Sequence, residues 1–498
     1  MALESVAMSH TPSSVCPVIA VDRGGFKPLH RQVYDGYREA ILRGDLAPGQ
    51  RIPSSRELAF EIQVSRFPVL HAYAQLVAEG YFESRVGSGT FISATLPEQM
   101  TSSEQCTDCS ERAPSGLRPV ARRNSLYPKF RRDSPFRGWG AFGLHQPAFD
   151  QFPFQVWSEF VNRHTRNPSS SSLRRIDPLG LQRFRSEICC YLRTARSVKC
   201  DPEQVMVVSG SQQALDITTR VLLNPGDSVL VEEPGYNLQR AVLAAAGCRL
   251  RPVPVDDQGM DITRAAKLKA VKAAFVTPSH QFPLGSTMSA TRRLLLLNWA
   301  QSAGAWIIED DYDSEYRFDT KPIASLQGLD VNSRVIYIGT FSKVLFPSLR
   351  IGYIVIPPDL VNLFEAARFA TDIFAPYLYQ EVLADFMEHG HLARYIRKMR
   401  GIYGERRDVL VESIRAEFGS FLQVHGASAG MHVSVTLPEG FNDVGICERA
   451  SEERLLLWPL SQYYAGKDPL QGFVLGFGST DSEQIPNATK RLRTLVLG

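Results

Sequence analysis

Lys343 stands in the run Gly339-Thr340-Phe341-Ser342-Lys343, directly after the apolar stretch Val335 to Ile338. An amine at the end of a buried strand, on a turn of small residues, is a candidate Schiff-base nucleophile. A lysine after a strand is ordinarily just a surface residue, but other segments supply groups that a Schiff base needs. Asp310 and Tyr312 follow the apolar run Trp306 to Ile308. A carboxylate facing a pyridine nitrogen keeps it protonated and makes the ring an electron sink, and a phenol bonds the ring oxygen. Without Lys343, the acidic residues Glu309, Asp310, Asp311 and Asp313 read as a solvated loop. Ser209-Gly210-Ser211-Gln212-Gln213 lies where a strand becomes a helix, so free N–H groups and the helix dipole point at one spot suited to a phosphate. Arg350, opening a further strand, adds a charge-assisted contact to the same phosphate. Tyr236, after Glu233-Pro234-Gly235, either stacks on a planar ring or packs in the core.

Groups so arranged need a sheet to hold them. From Trp139 to Gly498 short apolar runs at 205–208, 229–231, 273–276, 306–308, 335–338 and 351–356 alternate with helical patterns. That alternation predicts an α/β domain of parallel strands covered by helices, with a mixed C-terminal part. Active sites in such sheets gather at the carboxyl ends of the strands. The 498 residues predict more than one domain, and a content of 44% apolar and 21% charged residues excludes wholesale disorder and fibrous repeats. A formal charge of +3 excludes nucleic-acid binding by bulk charge and leaves local patches. No stretch reaches the roughly 18 apolar residues of a spanning helix, and Met1 to Pro17 lack the pattern of a signal peptide. A cytoplasmic protein without a membrane partner is expected. Eight scattered cysteines predict reduced thiols, and the Cys106-x-x-Cys109 pair has no second ligand pair, so no metal site is expected.

Ahead of the large domain lies a small helical one. Leu29, Val33, Tyr37, Ala40 and Ile41 form an apolar stripe over Leu29 to Arg43, and Gly44 ends it. Ser54 or Ser55 caps a second helix, and Ser65 caps a third that runs to Gly80. Tyr81 to Val86 and Thr90 to Ile92 predict two short strands around Gly87-Ser88-Gly89. Residues 94–138 then lose apolar periodicity and fill with Ser, Pro, Thr and Arg. Between Glu111 and Arg137, eight Arg or Lys face two acidic residues. This basic linker is a solvated tether or an arm that follows DNA phosphates. The expected organisation is a tail over 1–25, a small domain over 26–93, the linker over 94–138 and the large domain over 139–498.

With these segments in this order, residues 143–498 resemble fold-type-I pyridoxal-phosphate aminotransferases. Asp177-Pro178-Leu179-Gly180 and Phe152-Pro153 with Trp157 match that family's early segments. The resemblance implies pyridoxal 5'-phosphate as cofactor. It assigns Lys343 to the Schiff base, Asp310 to the pyridine nitrogen, Tyr312 to the ring hydroxyl, Tyr236 to stacking, and Ser211, Gln212, Ser342 and Arg350 to the phosphate. Two departures stand out. Gln281-Phe282-Pro283-Leu284-Gly285 replaces a motif whose asparagine helps hold the ring oxygen, and Val474 lies where an arginine usually clamps the substrate carboxylate.

The small domain has the element order of a winged helix-turn-helix. Arg51 to Ala59, Val64-Ser65-Arg66, Glu79-Gly80-Tyr81 and Gly87 to Phe91 resemble the GntR family. That resemblance implies Arg56 near phosphate, Ser65 and Arg66 at the start of the recognition helix with Arg66 at base edges, and Gly89 at the wing tip. Phe67-Pro68 replaces a polar pair usual there. In this order the two resemblances are those of the MocR/GabR subfamily of GntR regulators. They imply a head-to-tail homodimer on a double-stranded DNA operator, which senses a small amine, an amino acid or the cofactor itself through its aminotransferase-like domain. The competing reading is an active aminotransferase with an appended DNA-binding domain, favoured by Lys343, Asp310 and Tyr312 and disfavoured by Phe282 and Val474.

Overall fold

The computed structural model describes residues 19–96 and 140–498, apart from residues 86, 167, 169–173, 175, 266, 267, 319–322 and 467. The tail before residue 19, nearly all of the basic linker, and Cys106 and Cys109 lie outside the described residues. The chain divides into two compact units. Among the described residues no helix is long and apolar enough to cross a membrane.

The first unit contains α1 (Leu29–Leu42), α2 (Ser55–Glu61), α3 (Arg66–Ala78) and a hairpin of β1 (Phe82–Arg85) and β2 (Gly89–Ile92). The predicted stripe buries Val33, Tyr37, Ala40 and Ile41 of α1. Ser54, not Ser55, caps α2: its hydroxyl accepts from the Glu57 N–H at 3.3 Å, and the Glu57 carboxylate accepts from the Ser54 N–H at 2.8 Å. Ser65 does occupy the N-cap position of α3, but its side chain makes no capping bond. Pro68 falls in the first turn of α3, where a missing N–H leaves no intrahelical bond unmade. Tyr37, Tyr73 and Phe82 pack edge to face at 5.3–5.6 Å and lock α1, α3 and the hairpin together. The polar tips are satisfied too, with the two hydroxyls 3.1 Å apart and Tyr73 donating to the Pro53 carbonyl at 3.0 Å. Ile19 and Leu96, on either side of the 26–93 span, pack into the same core.

The second unit is built on eight strands: β3 (Val205–Val208), β4 (Ser228–Glu233), β5 (Arg249–Asp256), β6 (Gly259–Met260), β7 (Val271–Val276), β8 (Trp306–Asp311), β9 (Val335–Thr340) and β10 (Gly352–Val355). Their spatial order is β3-β10-β9-β8-β7-β4-β5-β6. The strands β5, β4, β7, β8 and β9 pair in parallel, as the alternating pattern predicts. By contrast, β10 is antiparallel to both β9 and β3. The physical reason is the short connection over residues 341–351, which lets the chain only double back, whereas a parallel return needs a longer crossover. That turn carries Lys343. A second, antiparallel sheet of β11 (Gln423–His425), β12 (His432–Thr436), β13 (Trp458–Pro459) and β14 (Gly472–Gly476) follows the long helix His391–Phe418, in the order β11-β12-β14-β13.

Candidate functional site

The period-2 geometry of β8 sorts its acidic residues by face. Asp310 and Tyr312 line a cavity of about 170 Å³. Glu309 turns away and accepts the N–H groups of Leu326 and Gln327, both at 2.9 Å. Asp311 takes the Arg196 guanidinium at 2.7 Å and the Tyr337 hydroxyl at 2.5 Å. A solvated acidic loop is therefore not what forms: Glu309, Asp310, Asp311 and Asp313 are all buried.

The same cavity is lined by Ser211, Gln212, Tyr236, Ser342, Lys343 and Arg350, so the fold brings together all eight residues singled out for it. Gly210, at φ +84°, precedes the helix Ser211–Leu222. Arg350, itself at φ +50°, donates to the Ser209 carbonyl at 2.9 Å. Glycine at 210 meets the positive φ, and an added Cβ would stand in ordinary contact with the Arg350 guanidinium at 3.4 Å. Gln212 donates to the Tyr236 hydroxyl at 3.4 Å. Among the described residues that line this cavity, Ser342 Oγ and Asp310 Oδ1 are buried without a hydrogen-bond partner.

Burial dominates the electrostatics. It pulls the Lys343 amine down to about 7, against the opposing pull of Asp313 and Asp310. It pushes the Asp310 carboxyl up to about 7, helped by Asp311 and Glu232 and opposed by Lys343. The Tyr312 phenol is held well above its ordinary value by burial and then by Asp313 and Asp310. The cavity therefore carries an amine that is partly neutral near pH 7 and a carboxyl that a positive charge would ionise.

Phe282, the first departure, is buried among aromatic rings: Tyr463 at 5.0 Å, Tyr236 at 5.7 Å and Tyr312 at 6.2 Å. Val474 is fully buried in the same apolar cluster. Sequence reasoning missed two buried histidines beside this cluster, His280 and His432. His280 places Nδ1 2.9 Å from Asp313 and 3.1 Å from the Tyr312 hydroxyl. The His432 ring lies 4.7 Å from it, tilted by 44°, with Nε2 3.1 Å from the Pro283 carbonyl. His280 immediately precedes the Gln281-to-Gly285 segment marked as departing, which was the nearest signal; nothing local marks its link to Asp313 or His432.

In the small unit, Arg56, Ser65, Arg66 and Gly89 are exposed. Arg66 opens α3, is exposed, and donates through Nε to Ser55 Oγ at 3.1 Å. Phe67 beside it is 76% exposed, an apolar ring on the start of this helix. Gly89, at φ +108°, lies against Arg51, whose Nε would be 3.2 Å from an added Cβ. Arg51 is thus a wing-side cation that the motif reading did not single out.

The family of aminotransferase class I and II matches residues 142–457, and the gntR family of bacterial regulatory proteins matches residues 29–92. The chain is 38% identical to the probable rhizopine catabolism regulatory protein MocR of Rhizobium meliloti, over 96% of each chain. It is 30% identical to the pyridoxine biosynthesis transcriptional regulator PdxR of Corynebacterium glutamicum, over 91% of this chain and 93% of the other. Among solved structures it is similar to the kynurenine aminotransferase of Pyrococcus horikoshii, with a TM-score of 0.67 and 28% identity over 78% of this chain and 96% of that one.

Proposed function

The chain belongs to the MocR/GabR subfamily of GntR transcriptional regulators, DNA-binding proteins with an aminotransferase-like domain, and from that premise we propose that it holds pyridoxal 5'-phosphate at Lys343 and senses a small amine there. The observation that carries this reading is the convergence of the eight residues on one cavity, with Ser342 Oγ and Asp310 Oδ1 buried and unpartnered inside it. A phosphate fits the Gly210 turn, the helix N-terminus and Arg350. A ring nitrogen that carries a proton fits Asp310.

When bound, the cofactor supplies an aldehyde that condenses with primary amines and a ring that withdraws electrons. The chain's own residues do the rest. Lys343 presents a partly neutral nitrogen near pH 7 because burial has drawn its amine to about 7. Asp310 would hold positive charge at the ring nitrogen, Tyr312 would donate to the ring oxygen, and Tyr236 would cover the ring face, all three lining the cavity. Lys343, once freed by a competing ligand amine, stands near Asp313 and Asp310, which favour its charged form, and Arg350, which opposes it. A ligand shifts DNA affinity only through its differential affinity for two states of the protein. In this proposal the occupancy of Lys343 distinguishes them. The regulator acts in the cytoplasm as a homodimer, whose two winged units meet two half-sites.

The intact Lys343, Asp310 and Tyr312 set favours a second reading, an active aminotransferase. Against it, the clamp position is Val474, fully buried beside Phe282. Holding a substrate's reacting bond in alignment is worth about 7–11 kcal/mol in well-oriented systems, and an apolar side chain cannot provide that hold on a carboxylate. The test is to titrate the cofactor-loaded protein with a panel of amines and amino acids, following both the visible absorbance and keto-acid formation with an oxo-acid acceptor. The expected result is a change in absorbance with at least one amine and turnover far below about 1 per second. Turnover at or above that rate puts the enzyme reading first.

A further inference from the structure

We propose that Asp313 and His280 form a positioning pair that fixes Tyr312 as a hydrogen-bond donor toward the cavity. The proposal rests on the cofactor reading above and assigns it two further residues. Both side chains are almost fully buried, and His280 Nδ1 lies 2.9 and 3.1 Å from the two Asp313 oxygens. A carboxylate only accepts, so Nδ1 carries the hydrogen. The same Nδ1 lies 3.1 Å from the Tyr312 hydroxyl oxygen, so the N–H is shared between the carboxylate and the phenol oxygen. Toward His280 the phenol is therefore an acceptor, and its own hydrogen is left to point elsewhere. Tyr312 lines the cavity, where a ligand oxygen is the partner that this hydrogen fits.

The packing leaves the imidazole little freedom. A Cβ on Gly430, at φ +77°, would come within 2.0 Å of His280 Cε1 and 2.6 Å of Asp313, and one on Gly285 within 3.0 Å of His280 Nε2. His432 closes the remaining side with its ring 4.7 Å away, and its Nε2 hydrogen goes to the Pro283 carbonyl, so it competes for neither Asp313 nor Tyr312. The pair also has a chemical reason to be here. Phe282 occupies the position of a side chain that would otherwise hold the ring oxygen, and it brings only an apolar ring. Tyr312 is left to hold that oxygen, and a donor whose direction is set beforehand does so better than a hydroxyl free to rotate between acceptors.

The test uses the full-length chain loaded with pyridoxal 5'-phosphate and follows the pH midpoint of its visible absorbance change. A donor to the ring oxygen favours the anionic form of that oxygen, so losing the donor moves the midpoint up. Tyr312→Phe is expected to raise it by about one pH unit or more. His280→Leu is expected to move it the same way. His280→Asn, of nearly the same shape as leucine but with an amide nitrogen in place of Nδ1, is expected to return it most of the way to the wild-type value. Adding His280→Leu to Tyr312→Phe is expected to move the midpoint no further than Tyr312→Phe alone, because the two residues act through one bond. His280→Gln, whose amide nitrogen falls nearer the place of Nε2 than of Nδ1, removes the donor to Tyr312 with a polar side chain should the leucine variant fail to fold. An unshifted midpoint in a folded His280→Leu or His280→Gln protein, or a full further shift in the double variant, overturns the proposal. A wild-type chain that shows no visible band after loading instead overturns the cofactor reading beneath it.

Discussion

Replacing Lys343 by alanine is expected to remove all covalent attachment of pyridoxal phosphate. Borohydride reduction of the loaded wild-type protein, followed by peptide mapping, is expected to give about one pyridoxyl label per chain on Lys343, and the variant none. The argument is one of position and charge together. Lys343 sits on the turn between β9 and β10, beside Ser342 and across the cavity from Asp310, and burial brings its amine to about 7. An ordinary surface lysine near 10.4 is almost wholly protonated at neutral pH and is a poor nucleophile. Labelling of the wild-type protein should accordingly rise through a midpoint near pH 7, since the neutral amine predominates above the pKa. The phosphate turn and Asp310 remain in the variant, so it should still take up the cofactor loosely and lose it on dialysis. A label on another lysine, or a midpoint near 10, would contradict the assignment.

Arg66→Ala is expected to weaken specific operator binding by about 1–3 kcal/mol, roughly 5- to 150-fold in Kd, while the cofactor absorbance stays unchanged. Arg66 is exposed at the start of α3, and its Nε donates to Ser55 Oγ at 3.1 Å, which restrains the side chain before DNA arrives. A restrained guanidinium has less side-chain freedom to lose on making a bidentate contact to guanine. Arg56→Ala is the control: a contact to phosphate weakens all sequences alike and reduces the salt dependence, whereas a base contact is lost only on the specific site. Gel-shift titrations against the region upstream of the protein's own coding sequence measure both. Unchanged specific binding in Arg66→Ala would contradict its role at the base edges.

What was legible in the sequence was what local chemistry encodes. Lys343, Asp310, Tyr312 and the Ser211-Gln212 turn each follow an apolar run, and a strand end followed by small or polar residues is a pattern of adjacent positions. The helices of the small unit were legible for the same reason, through the spacing of Val33, Tyr37 and Ile41. The direction of β10 was not, because apolar runs carry no sign of orientation and only the short 341–351 connection decides it. The buried acidic residues after Trp306 were ambiguous because their partners lie far off in the chain: Arg196 for Asp311 and the Leu326 and Gln327 amides for Glu309. The association of His280, Asp313 and Tyr312 is of the same kind, a product of the tertiary fold that no spacing announces. Ser65 shows the converse, a residue type suited to capping in the right place whose side chain makes no cap.

If Lys343 with its cofactor governs the affinity of the winged helix for DNA, an amine that changes the spectrum of the loaded full-length protein must also change its hold on the operator. Operator binding and cofactor absorbance, followed in one titration with that amine, are expected to move with a common midpoint, and Lys343→Ala is expected to bind the operator with an affinity the amine no longer alters. Complete spectral conversion without any change in operator affinity, or an amine response that survives in Lys343→Ala, would contradict that control.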